Sequence, residues 1–157
     1  MIPAPMRDRL LADLDRALAA RPGLEDAGAA AVELLAALLP RYDWVGIYWL
    51  EGSELVLGPF RGAPTEHTRI PVGQGVCGTA VAENANQVVA DVARLANYLS
   101  CSASVRSEIV VLIRDSRGRI LGQIDADSHT PTAFGETDEA LLEETARRIA
   151  ARGEENP

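Results

Sequence analysis

Apolar side chains recur at helical spacing through the first forty residues, and then the period changes. Residues 7–20 place Leu10, Leu11, Leu14 and Leu18 on one side of a helix, which Arg21-Pro22-Gly23 ends. Residues 24–39 predict a second helix, rich in alanine for close packing and stopped by Pro40. Residues 43–50 (DWVGIYWL) carry the aromatic and β-branched signature of a strand. A turn over 51–54 leads to a returning strand that begins at Leu55–Leu57, which Gly58-Pro59-Phe60 is expected to break. After a polar loop over 61–68, residues 69–72 predict a short edge strand, where Pro71 is tolerable. A short helix over 76–84 and a strand over 87–92 follow, then a long irregular stretch over 93–106 with room for a helical turn. Residues 107–114 and 119–127 read as strands of a hairpin closed across Asp115-Ser116-Arg117-Gly118. The last helix, 136–152, sets Leu141, Leu142, Thr145 and Ile149 on one side. Its acids lie early and its arginines late, as the helix dipole favours. The pattern predicts one α+β domain over 1–157: helices in 1–40, an antiparallel sheet core and final helix in 41–152, and a loose tail from 153.

Composition narrows the function. With 47% hydrophobic residues among 157, the chain can bury a core without disulfides or metals. It has no apolar run of about 18 residues and no signal-peptide pattern at its start, so a cytoplasmic protein is expected. The net charge is −8 and every basic residue is arginine, which argues against a phosphate backbone as partner. Only two cysteines occur, Cys77 and Cys101. In a reducing compartment a permanent disulfide is not expected, which leaves two inert buried thiols or a redox pair.

Four segments can carry chemistry. Gly73-Gln74-Gly75-Val76-Cys77-Gly78 fits GxGxxG, but the preceding strand is short and no βαβ unit follows, so the glycines are read as a turn opening a helix. Cys77 then falls in the first turn, where unpaired N–H groups are expected to favour its thiolate. Cys101 stands among small residues (SCSAS) in the long loop, a setting that favours an accessible thiol. Asp125 and Asp127 share one strand face, either a solvated face or a pair of acids at a pocket mouth, with Glu108 on the neighbouring strand near enough to join them. Clustered carboxylates raise one another's pKa, and a protonated one can serve as an acid. Trp44, Gly46 and Tyr48 share a face, either as core or as an aromatic wall with a notch at Gly46. No CxxC, HExxH or GxSxG spacing occurs, so neither a metal nor a serine-hydrolase site is expected.

WVGIY (44–48), LVLGPFRG (55–62), RIPVGQGVCGTAVA (69–82), SCSASVRSEIV (100–110) and ILGQIDADS (120–128), taken in order, resemble the GAF-domain free methionine-(R)-sulfoxide reductases. The resemblance implies a GAF sheet of about six antiparallel strands flanked by helices, a homodimer, and reduction of free methionine sulfoxide without metal or organic cofactor. It matches Cys101 to the sulfur nucleophile and Cys77 to a second thiol. It matches Trp44 and Tyr48 to the wall around the substrate methyl group, and Glu108, Asp125 and Asp127 to the acids that hold substrate and assist proton transfer. His67 departs from the family, which has a third cysteine there, and Leu112 stands where proline is common. The resemblance then leaves Cys77 to form the disulfide with Cys101 that thioredoxin or a similar dithiol reduces. The His67 departure also fits a ligand-binding GAF module that has lost catalysis, or a cysteine redox sensor.

Overall fold

The structure, a computed structural model, describes residues 1–21, 23–95 and 104–155; Cys101 lies outside the described residues. Helix α1 (Ala4–Ala19) starts earlier than its leucines alone predict, because Pro3 precedes it and a proline sits in its first turn. A first-turn N–H has no intrahelical partner, so proline costs nothing there. Its buried side is Leu10, Leu14 and Leu18. Helix α2 (Gly23–Leu38) buries small residues, including Ala27, Gly28 and Ala31. A Cβ on Gly28 would come within 3.0 Å of Ile47, so the alanine-rich face is what lets α2 lie close against the sheet.

Strands β1 (Trp44–Glu51), β2 (Glu54–Arg61), β3 (Arg69–Pro71), β4 (Gln87–Val89), β5 (Ser107–Arg114) and β6 (Ile120–Ser128) form one sheet in the order β3-β2-β1-β6-β5-β4, with every neighbouring pair antiparallel. Helix α3 (Gly75–Glu83) follows β3, a 3-10 turn (Val92–Arg94) follows β4, and α4 (Glu136–Glu155) ends the chain's regular structure. Three expectations need correction. Gly58-Pro59-Phe60 does not break β2: Gly46 pairs with Phe60 and Tyr48 with Leu57, so Gly58 and Pro59 together oppose Ile47 in a bulge. The missing N–H of Pro59 falls where the ladder is irregular, and the strand continues to Arg61. At the far end, α4 stays helical past Gly153 to Glu155. The strand expected over 87–92 stops at Val89, and Asp91 caps the following turn by accepting from the Ala93 N–H.

The two faces of the sheet differ. Val45, Ile47, Ile109, Val111, Ile113, Ile124 and Ala126 pack against α1, α2 and α4 in the larger core. Their alternate neighbours point the other way, where Trp44, Tyr48, Val110 and Leu112 meet Ile70, Val76, Cys77 and Ala80 beneath α3 and β3. The site candidates belong to this second face.

Candidate active site

Register alone lines up the polar residues of the second face. Asp127 lies between Trp44 and Glu108, Asp125 between Gly46 and Val110, and Gln123 between Tyr48 and Leu112. Residues two apart on a strand share a face, so Gln123, Asp125 and Asp127 form one polar row down β6. The solvated-face reading is excluded: Glu108, Asp125 and Asp127 are each at most 4% exposed.

Helix α3 closes over this row. Its entry is a tight glycine turn, with Gly73 and Gly75 at positive φ. A Cβ at Gly78 would sit 2.6 Å from the Pro71 carbonyl oxygen, so only glycine permits the turn to fold back on the helix. The glycine-rich segment is thus a turn onto a helix. Cys77, the third residue of α3, points down at the sheet, its Sγ 3.8 Å from Glu108 Oε2. One donor atom each from Cys77, Glu108 and Asp125 lies within 4.8 Å of the others. Gln123 donates from Nε2 to the Cys77 carbonyl at 3.0 Å, tying the first turn of α3 to β6.

This setting reverses the expectation for Cys77. Burial pushes its thiol well above the ordinary range, and the charges of Asp125, Glu108 and Asp127 push it further. The N-terminal position on α3 does not prevail over a fully buried site facing three carboxyl groups. Burial also raises Asp125, which hydrogen bonds with Glu108 and Cys77 only partly offset. A carboxyl group held above its usual range keeps its proton to higher pH, as a general acid requires.

Two hollows flank the acids. A tight one of about 10 Å³, room for one water-sized guest, is lined by Tyr48, His67, Cys77, Glu108, Asp125 and the loop entering α3. A wider one of about 210 Å³ lies between Trp44, Ala63, Ser104, Asp127 and the Asp43–His129 pair. The structure therefore gathers Tyr48, Cys77, Glu108 and Asp125 at one hollow and sets Trp44 and Asp127 on the other. The Asp127–Glu108 cross-strand pair connects them.

The aromatic strand face is built by local packing. Trp44 stacks on Phe60 at 5.6 Å and on Tyr48 at 6.3 Å between ring centroids, and its Nε1 donates to the Ala63 carbonyl. The notch at Gly46 is filled by the indole itself, since a Cβ there would lie 2.5 Å from Trp44 Cη2. The Tyr48 hydroxyl donates to the His67 carbonyl at 2.8 Å, which fixes the loop at the tight hollow. Sequence reading missed Phe60 and Gln123. Phe60 follows the bulge that was read as a break. Gln123 shares the Asp125 face by simple alternation, and that signal was available.

The GAF domain profile matches residues 23–152. The free methionine-R-sulfoxide reductase of Escherichia coli is 40% identical over 116 residues, covering 74% of this chain and 69% of that protein. The matched stretch spans 61% to 69% of the length of the curated relatives. The structure of a free methionine-R-sulfoxide reductase from Neisseria meningitidis in complex with its substrate superposes with a TM-score of 0.88 at 37% identity, over 94% of this chain and 88% of that one. A protein from Burkholderia vietnamiensis described as a GAF sensor superposes with a TM-score of 0.89 at 32% identity, over 96% of this chain and 98% of that one.

Proposed function

This chain belongs to the GAF-domain family of free methionine-R-sulfoxide reductases, and we propose that it reduces free L-methionine-(R)-sulfoxide to L-methionine. The observation that carries the reading is the buried row of Glu108, Asp125 and Asp127 on the face that also holds Cys77, Trp44 and Tyr48. Sulfoxide reduction needs a sulfur nucleophile and an acid, because oxide is a poor leaving group without a proton. The acids supply the proton, and the anionic field attracts the ammonium of a free amino acid, which a peptide-bound methionine lacks. Trp44 and Tyr48 offer apolar surface for the methyl group.

In the proposed cycle the Cys101 thiolate attacks the sulfoxide sulfur while a carboxyl group protonates the oxygen. The protonated oxygen passes to the Cys101 sulfur as its bond to the methionine sulfur breaks, so methionine leaves as the thioether and Cys101 is left as a sulfenic acid. Cys77 then attacks the Cys101 sulfur, forming a disulfide as the oxygen departs as water. A dithiol such as thioredoxin reduces that disulfide by exchange and is itself oxidised. The cycle uses no metal and no organic cofactor, and it needs a reducing compartment such as the cytoplasm. No helix among the described residues is long and apolar enough to cross a membrane. A homodimer completes the reading.

Mass spectrometry of the thiols after one exposure to substrate tests the assignments. Cys101→Ser should yield no methionine. Cys77→Ser should yield one equivalent per chain and a sulfenic acid that dimedone traps. Normal recycling of Cys77→Ser with thioredoxin would remove the internal disulfide from the cycle.

A further inference from the structure

We propose that Cys77, Glu108 and Asp125 form a binding site for a thiophilic divalent cation of the zinc class, and that this cation inhibits the enzyme. The three donors come from α3, β5 and β6, with one ligand atom from each mutually within 4.8 Å and the sulfur 3.8 Å from Glu108 Oε2. Zinc bonds of about 2.3 Å to sulfur and about 2.0 Å to oxygen, at tetrahedral angles, separate ligand atoms by roughly 3.3–3.6 Å. Small side-chain rotations close the remaining difference. A second observation points to a guest. Asp125 is 2% exposed and lines the tight hollow, yet its Oδ1 has no hydrogen-bond partner among the described residues. That hollow, about 10 Å³, suits a single ion.

The donor chemistry selects the ion. A thiolate with two carboxylates suits zinc, cadmium or cobalt, whereas magnesium and calcium take oxygen ligands alone. Binding replaces the thiol proton and any proton the two carboxyl groups hold: the cation gains one sulfur and two oxygen bonds, and the displaced protons go to solvent. The bound ion would occupy the acids and the second thiol, so it blocks the proposed cycle. The binding itself stands on donor geometry and holds whether or not the reductase reading does.

Cobalt(II) titration of the reduced chain tests it through the near-ultraviolet thiolate-to-cobalt charge-transfer band. One cobalt per chain is expected, displaced by zinc and unaffected by equimolar magnesium or calcium. The band should persist in Cys101→Ser, vanish in Cys77→Ser, and show a Kd raised about tenfold or more in Glu108→Gln and Asp125→Asn. Absence of the band in the native chain, or its survival in Cys77→Ser, overturns the proposal. Should Cys77→Ser fail to fold by circular dichroism, unchanged affinity in both carboxylate variants overturns it instead. A chain that binds cobalt but never turns over sulfoxide would refute the reductase reading alone.

Discussion

Cys77 illustrates how position and surroundings compete at a single residue. It occupies the first turn of a helix, where dipole and free N–H groups favour a thiolate, yet it is buried among carboxyl groups that favour the thiol. Its alkylation by iodoacetamide in the reduced chain, followed by peptide mass spectrometry, should be slow at neutral pH and accelerate only above the usual thiol range. Asp125 contributes the largest charge effect, so Asp125→Asn removes repulsion and should speed alkylation at pH 7. An unchanged rate would contradict the assignment. Gly46 gives a steric counterpart. A Cβ there meets Trp44 at 2.5 Å and Phe60 at 2.9 Å. Gly46→Ala should therefore cost about 1–3 kcal/mol in urea unfolding by overpacking, and raise KM as the indole is displaced. Full stability with unchanged KM would show that the stack has room to spare.

At the level of elements, the hairpin between β5 and β6 is what sets Glu108 beside Asp127. Asp115 organises its turn, accepting the Arg117 and Arg119 N–H groups and pairing with the Arg119 guanidinium. Desolvation works to raise this carboxyl, but the Arg119 and Arg117 hydrogen bonds outweigh it and hold the pKa low. A depressed carboxylate stabilises the fold fully above the ordinary aspartate range, and that contribution fades as pH falls through the folded value. Urea midpoints for native and Asp115→Asn protein should thus differ at pH 7, and the gap should narrow as pH falls below the ordinary aspartate value of about 3.9. A gap independent of pH would rule out this titration. Alternation made β1, β5 and β6 legible in the sequence, because period two separates Ile124 and Ala126 from Asp125 and Asp127 regardless of what lies above. The run through Pro59 was not legible, since a bulge is decided by the partner strand. The gathering of Cys77, Glu108 and Asp125 was equally hidden: 31 residues separate the first two, and only the closure of α3 over the sheet joins them. Burial of the acids likewise depends on that closure and on no local signal.

For the whole molecule, the sheet divides labour between its faces. One face binds α1, α2 and α4 into the main core, and the other carries the acids, the thiol and the aromatic pair. Damage to the first face should therefore lower stability without changing the chemistry. Leu10, 1% exposed in α1, is a suitable site. Leu10→Ala should cost about 2–5 kcal/mol in urea unfolding. Its methionine yield in a single turnover at a temperature where it stays folded should match the native chain, and a loss of that yield would show coupling between the faces. The central claim is tested most directly by NADPH consumption in a thioredoxin-coupled assay, run separately with the R and S epimers of free methionine sulfoxide. The account predicts turnover of the R epimer, none of the S epimer, and none of either with Cys101→Ser. Saturable binding of the R epimer with no NADPH consumed and no methionine formed in a single exposure would contradict it, and would leave a ligand-binding GAF domain.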